Sequence, residues 1–256
     1  MSILRSALFN LFFFTSTFLF TLPGVVIRLV APHRALDLAM LWARATVGGL
    51  RLICGIKLKV IGRERIAHGG AMLIASRHQS AFDTLVWLTL LPRCCYVLKR
   101  ELVRIPLFGP LIPAAGMIAL DRAGGAAALR GLMREGERAA REGRQIVIFP
   151  EGTRAEPDAI LPLQPGVAAL ASRTGLPVIP VVTDSGRCWG RRAFHKRPGT
   201  IHIRLLEPIP AGVGREVLMS RLEVDLRRPA VRSEQAVENS VGEAAAELPE
   251  RHRLRH

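Results

Sequence analysis

Gln145-Ile146-Val147-Ile148-Phe149-Pro150-Glu151-Gly152-Thr153-Arg154 decides how this chain is read. The apolar run 146–149 is too short for a stable helix and ends at a turn signal, the pattern of a buried strand. Pro150 and Gly152 break the strand, and Thr153 and Arg154 place hydrogen-bond donors just past its end. Buried strands of α/β sheets gather ligand-binding groups at that end. Gly152 lets a ligand approach the backbone, while Thr153 and Arg154 suit phosphate oxygens. Glu151 does not suit phosphate and is expected to orient Arg154 or a substrate hydroxyl. A plain turn would use the same Pro and Gly, so the segment becomes decisive only in company.

Working outward, the same rhythm recurs. Short apolar runs at 58–61, 72–76, 96–98, 117–120, 178–182 and 201–206 read as strands, and 81–91, 126–141 and 166–174 as helices. The alternation predicts an α/β domain over 57–228. Pro180 within 178–182 implies an edge strand or a bulge. Glu135 and Glu137 are spaced to pair with arginines three or four positions away. From about residue 229 the apolar periodicity is lost, so 229–256 reads as a polar, disordered tail.

The first 56 residues obey a different solvent. Six of the ten Phe residues fall in the first twenty positions, and 6–27 contains no ionisable side chain. As a helix those residues span about 33 Å, close to a bilayer's ~30 Å hydrocarbon core. Pro23-Gly24 is expected to interrupt that helix. Residues 38–56 form a second apolar stretch, with Arg44 and Arg51 on one helical face. Residues 1–56 therefore read as membrane-anchoring helices, either one span or two helices dipping into a single leaflet. The net charge of +15 and pI near 11.3 call for an anionic neighbour. No helix-turn-helix, zinc-finger or RNA-recognition signature accompanies the charge, which favours an anionic membrane surface over nucleic acid. Arg187, Arg191, Arg192, Lys196 and Arg197, beside Trp189 and Phe194, are expected to form a headgroup patch. Cys54, Cys94, Cys95 and Cys188 lack metal-ligand spacing and read as reduced, packed thiols facing a cytoplasmic compartment.

Two further segments carry chemistry. Arg77-His78-Gln79-Ser80-Ala81-Phe82-Asp83-Thr84 follows a strand and opens a helix. A near-neutral His can take the proton of an alcohol, and a carboxylate can fix its tautomer. Five helical residues turn through about 500°, so the pair can meet only if His78 precedes the helix and folds back. Alone the pair is weak: among seven histidines, an Asp five places on would arise by chance roughly one time in three. Gly116-Met117-Ile118-Ala119-Leu120-Asp121-Arg122 is a strand ending in a charged pair, which an exposed strand terminus would also explain.

In this order, the HxxxxD, GxxxxDR and FPEGTR segments and the proline-containing strand resemble the four blocks of the glycerolipid acyltransferase family, the bacterial 1-acyl-sn-glycerol-3-phosphate acyltransferases in particular. The resemblance covers about residues 58–210, and Lys99-Arg100-Glu101-Leu102 with Ile105-Pro106-Leu107-Phe108-Gly109 resembles the family's segment between the first two blocks. Two positions depart from the pattern: Arg77 stands where many members have Asn, and Gln164-Pro165-Gly166 where many have a basic residue before the Gly. The resemblance implies a mixed sheet flanked by helices behind the N-terminal anchor. It implies direct acyl transfer from acyl-CoA or acyl-carrier protein to the sn-2 hydroxyl of 1-acylglycerol-3-phosphate, giving phosphatidic acid. His78 and Asp83 would be catalytic, and Lys99, Arg122, Glu151, Gly152, Thr153 and Arg154 would bind substrate. No metal or organic cofactor is implied, because the thioester supplies the driving force. The implied partners are a membrane lipid substrate, an anionic membrane surface and, if it is the donor, acyl-carrier protein, with no nucleic acid. The implied location is the inner, cytoplasmic membrane with the catalytic domain facing the cytoplasm. The alternatives are another lyso-lipid acceptor, such as a lyso-ornithine lipid or a lysophospholipid, or a non-catalytic binder of anionic lipid.

Overall fold

The computed structural model describes residues 2–67, 69–121 and 123–231. Two long helices, α1 (Ser2–Val30) and α2 (Ala35–Cys54), come first. They pack antiparallel: Cys54 Sγ donates to the Arg5 carbonyl at 3.7 Å, and Phe12 lies against Gly49. α1 runs straight through Pro23-Gly24, contrary to the expected interruption. Proline removes one helical hydrogen bond. Packing offsets it, because Leu111 and Leu38 close on Gly24 so tightly that a β-carbon there would collide with Leu111. α1 is long and apolar enough to cross a membrane, which makes it a candidate anchor.

The body is one seven-stranded sheet. Its strands are β1 (Ile56–Ile61), β2 (Met72–Ser76), β3 (Cys94–Lys99), β4 (Ile118–Leu120), β5 (Gln145–Ile148), β6 (Val178–Thr183) and β7 (Gly199–Leu205). All seven match the runs expected from sequence. The spatial order is β1-β7-β6-β2-β5-β3-β4, and every pairing is parallel except β6 with β7. The sheet is therefore mixed, as expected. Strands β2 to β6 all point their carboxyl ends at one edge, so the segments after each converge there.

β2 shows how the sheet divides the core. Met72 and Ile74 join the apolar cluster beneath α1, α2 and α3 (Asp83–Leu90), while Leu73 and Ala75 join the opposite one. That opposite layer holds α5 (Gly125–Arg141), α6 (Gly166–Thr174) and α8 (Arg215–Leu226). α4 (Leu111–Ala114) and α7 (Ser185–Cys188) are short connectors. Glu135 pairs with Arg138 at 2.8 Å along α5, as its spacing suggests, but Glu137 pairs across to Arg173 of α6 at 2.8 Å. Pro180 sits in an interior strand rather than at an edge. The β6–β7 register joins Val181 to Leu205, whereas the next bridge joins Val178 to Ile209, so one extra residue bulges out opposite Pro180. Of the expected tail, residues beyond Val231 lie outside the described ones; Ala230 is buried against Leu226 and Leu206.

Candidate active site

The loop between β2 and α3 answers the geometric question set by five-residue spacing. His78 lies two residues past β2, and the helix begins only at Asp83. Asp83 reaches back over the intervening turn: its Oδ2 accepts the backbone N–H groups of Gln79 (2.7 Å) and Ser80 (2.8 Å) and meets His78 Nδ1 at 3.1 Å. Asp83 is 1% exposed, so these three contacts replace water at Oδ2, while Oδ1 is buried with no hydrogen-bond partner among the described residues. With Nδ1 held by Asp83, His78 keeps its Nε2 lone pair for a substrate proton.

His78 is fixed from the 149–154 segment as well. Its N–H donates to Glu151 Oε2 at 2.8 Å, and its carbonyl accepts the Ala155 N–H at 2.8 Å. Its ring stacks on Phe149, with centroids 4.1 Å apart. The strand-end segment thus builds the wall against which the histidine stands. Gly152 makes that wall's turn at φ +68°, a conformation in which an L side chain is strained.

A cavity of about 650 Å³ opens from this edge and runs beneath the N-terminal hairpin. Its polar end presents His78, Lys99, Gly152, Thr153 and Arg154, together with Arg191 and Arg192. Its apolar end is walled by Phe13, Phe20, Leu38 and Trp42 of the hairpin and by Leu85, Leu88, Phe108 and Met117 of the body. Burial pushes the Arg154 guanidinium down from its usual range; Asp83 opposes this, and Arg191 and Arg192 add to it. A half-buried cation beside a carboxylate-held histidine, at the mouth of an apolar pocket, can hold an amphiphile with an anionic head.

Residues 57–184 match the family model described as Acyltransferase. A 1-acyl-sn-glycerol-3-phosphate acyltransferase from Pseudomonas aeruginosa is 32% identical over 202 residues, 78% of each chain. The chain belongs to the acyltransferase family. The enzyme named 1-acyl-sn-glycerol-3-phosphate acyltransferase from Limnanthes douglasii is 32% identical over 189 residues, 72% of this chain and 66% of that one. The human enzyme named 1-acyl-sn-glycerol-3-phosphate acyltransferase beta is 30% identical over 166 residues, covering 64% and 60%. The solved structure of the 1-acyl-sn-glycerophosphate (LPA) acyltransferase PlsC from Thermotoga maritima shares the fold, with a TM-score of 0.70 over 98% of this chain and 100% of that one at 22% identity.

Within this acyltransferase the expected residues separate into groups. His78, Lys99, Gly152, Thr153 and Arg154 line the cavity. Arg122 lies outside the described residues; its neighbour Asp121 pairs with Arg100 at 3.6 Å. Glu151 makes its contacts behind the histidine loop. Its carboxylate accepts the His78 N–H and, at 3.4 Å, meets Arg77 Nε, contacts that hold the histidine loop. Burial is the main influence on its carboxyl and raises the pKa, against the His78 N–H and Arg77. The departure at Arg77 is thereby explained: it supplies the partner of this buried carboxylate and donates to the Ala159 carbonyl at 2.6 Å.

Of the expected headgroup patch, Arg187, Arg191, Arg192 and Arg197 are exposed, and Lys196 is not. Lys196 is 2% exposed, its ammonium ringed by Phe9, Trp189 and Phe194 and hydrogen-bonded to Asn10 and the Phe194 carbonyl. It joins the body to α1 and faces no headgroup. Arg187 pairs with Asp158 at 3.1 Å. Gln79, hydrogen-bonded to both Pro157 and Gly186, was not singled out from sequence, because both partners are distant in the chain. All four cysteines are free and buried, and burial drives Cys95 up to about 11.

Proposed function

We propose that this acyltransferase moves a fatty acyl group from a thioester donor, acyl-CoA or acyl-carrier protein, to the sn-2 hydroxyl of 1-acylglycerol-3-phosphate, giving phosphatidic acid. The observation that carries the reading is the His78–Asp83 pair standing at the junction of a cationic pocket and an apolar cavity. His78 Nε2 takes the hydroxyl proton while the oxygen attacks the thioester carbonyl. The C–S bond then breaks, and the leaving thiolate takes that proton from the imidazolium. Asp83 holds the tautomer and balances the transient charge. Arg154, Thr153, the Gly152 backbone and Lys99 hold the acceptor phosphate, with Arg122 as a further ligand. The thioester is a co-substrate carrying its own driving force, so the reaction needs no resident metal or organic cofactor.

The enzyme works at the surface of the inner membrane, with its catalytic face on the cytoplasmic side. Large apolar residues of α1, among them Leu4, Leu8, Leu11, Phe18, Leu22, Val26 and Leu29, recur at helical spacing and are exposed. Leu102, Ile105 and Leu107 extend that apolar surface beside Arg100 and Arg104. The hairpin roofs the cavity along its length, which supports insertion into one leaflet rather than a crossing. The excess of basic residues suits an anionic leaflet, and the buried free thiols suit a reducing compartment.

Assaying purified protein in mixed vesicles against 1-acylglycerol-3-phosphate, a lyso-ornithine lipid and lysophosphatidylethanolamine tests the assignment. Highest kcat/KM on 1-acylglycerol-3-phosphate is expected. A preference for either of the others would overturn the acceptor, and no transfer to any would overturn the enzyme.

A further inference from the structure

The segment between α7 and β7 brings two more cations to the site. Gly190 and Ala193 close a tight turn, the Ala193 N–H donating to the Gly190 carbonyl at 3.2 Å, so Arg191 and Arg192 are its two central residues. Arg192 is held at φ +55°, a left-handed conformation unfavourable for a residue with a β-carbon. Fixed supports flank the turn. On one side Trp189 packs edge-on against Phe9 (5.6 Å) and Phe13 (6.2 Å) of α1. On the other, the Lys196 N–H donates to Ser6 Oγ at 2.9 Å, beside its ammonium cage. The supported turn thus brings two guanidinium groups to the cavity that His78 and Arg154 line, close enough to Arg154 for their charges to act on it.

Arg154 is half-buried, and Arg191 and Arg192 are exposed at the cavity mouth. Their charges oppose that of Arg154, Asp83 offsets part of this, and an anion bound among the three guanidinium groups would offset more. Gln164, whose side chain lies against Gly152, contributes no charge on that side. The attraction grows with the anion's charge. A phosphate monoester carries close to two negative charges at neutral pH and a phosphodiester one.

We infer that Arg191 and Arg192 read the charge of a phosphate group at the His78 end of the cavity, selecting a phosphate monoester over a phosphodiester. The inference rests on the proposed acyl transfer for its setting and deepens it by naming what sets headgroup selectivity. Two monoesters could supply the ligand: the phosphate of the acceptor lipid, or the 3′-phosphate of a CoA donor.

The test uses full-length Arg191→Gln, Arg192→Asn and the double variant, with Arg191→Lys as the charge-preserving control; Asn tolerates the left-handed turn. KM for 1-acylglycerol-3-phosphate should rise about tenfold or more in each neutralised variant, by more than kcat falls, and Arg191→Lys should recover most of the loss. KM for lysophosphatidylethanolamine should rise far less, so discrimination collapses. The ratio of variant to wild-type KM should shrink as pH drops below about 6, where the monoester dianion takes up one proton and becomes a monoanion. A rise confined to the acyl-CoA KM, and missing with acyl-carrier protein, would support the same monoester chemistry with the donor as its source. Unchanged KM values, or equal rises for monoester and diester, would overturn the inference. Equilibrium binding of 1-acylglycerol-3-phosphate, followed by fluorescence of Trp42 in the cavity wall, separates the two readings. Weaker binding by the neutralised variants stands even if wild type proves unable to turn that lipid over.

Discussion

Two histidine–carboxylate pairs occur among the described residues, and the shorter contact belongs to the one away from the cavity. His202 of β7 meets Asp184 at 2.9 Å through Nδ1 and donates its backbone N–H to the other carboxylate oxygen at 2.7 Å. His78 meets Asp83 at 3.1 Å. By distance alone the first would be chosen. Yet Asp184 and His202 only fasten the end of β6 to its antiparallel neighbour, and neither lines the cavity. His78 stands on a wall of Phe149, is tied at its backbone to Glu151 and Ala155, and opens beside Arg154. The pair proposed to be catalytic is thus distinguished by what its free nitrogen faces and by how firmly its backbone is held.

That contrast can be broken from either side. Between the two carboxylates, the larger effect is expected for Asp83→Asn, which replaces a buried carboxylate that meets an imidazole and two backbone N–H groups. Its kcat should fall about 10³–10⁴-fold in steady-state assays with 1-acylglycerol-3-phosphate, as loss of the orienting carboxylate does elsewhere. Asp184→Asn at the second pair should leave kcat within about threefold, the range expected away from the chemistry. A comparable loss from both would erase the distinction. Next, Arg154→Ala should raise KM for the phosphate acceptor about 10–100-fold, reflecting one charge-assisted contact. An unchanged KM would remove Arg154 from the phosphate site.

Glu151→Ala should lower kcat by about tenfold without raising that KM, since it loosens the His78 loop and leaves the pocket's cations in place. A rise in KM equal to that of Arg154→Ala would return Glu151 to the substrate site. The smallest effect is expected at the second pair's imidazole. His202→Ala should change activity by less than about threefold, and its consequence should be sought in the melting temperature instead.

Sequence carried the sheet and the order of its loops because both are local. Apolar runs marked seven strands, and the segments after β2 and β5 were recognisable where they leave the sheet. The fold-back of His78 was also legible, because helical geometry demanded it. What escaped was tertiary. Pro23 stays inside α1 because Leu38 and Leu111 pack over Gly24, a contact no local propensity records. Lys196 reads as surface charge until Phe9, Asn10 and Trp189 enclose it. The pairing of Glu151 with Arg77, 74 positions earlier (151 − 77), is likewise invisible in the local sequence. Arg191 and Arg192 are exposed, as their place in a surface patch implies, but their position at the cavity depends on a turn pinned to α1.

The central claim is that His78, and not merely the fold around it, moves the acyl group. Purified wild type, His78→Ala and His202→Ala, each reconstituted in vesicles with 1-acylglycerol-3-phosphate and a labelled acyl thioester, should be compared by labelled phosphatidic acid formed. Label in phosphatidic acid for wild type and His202→Ala, with none above background for vesicle-bound His78→Ala, is the predicted result. Turnover by His78→Ala at the wild-type rate would contradict the account.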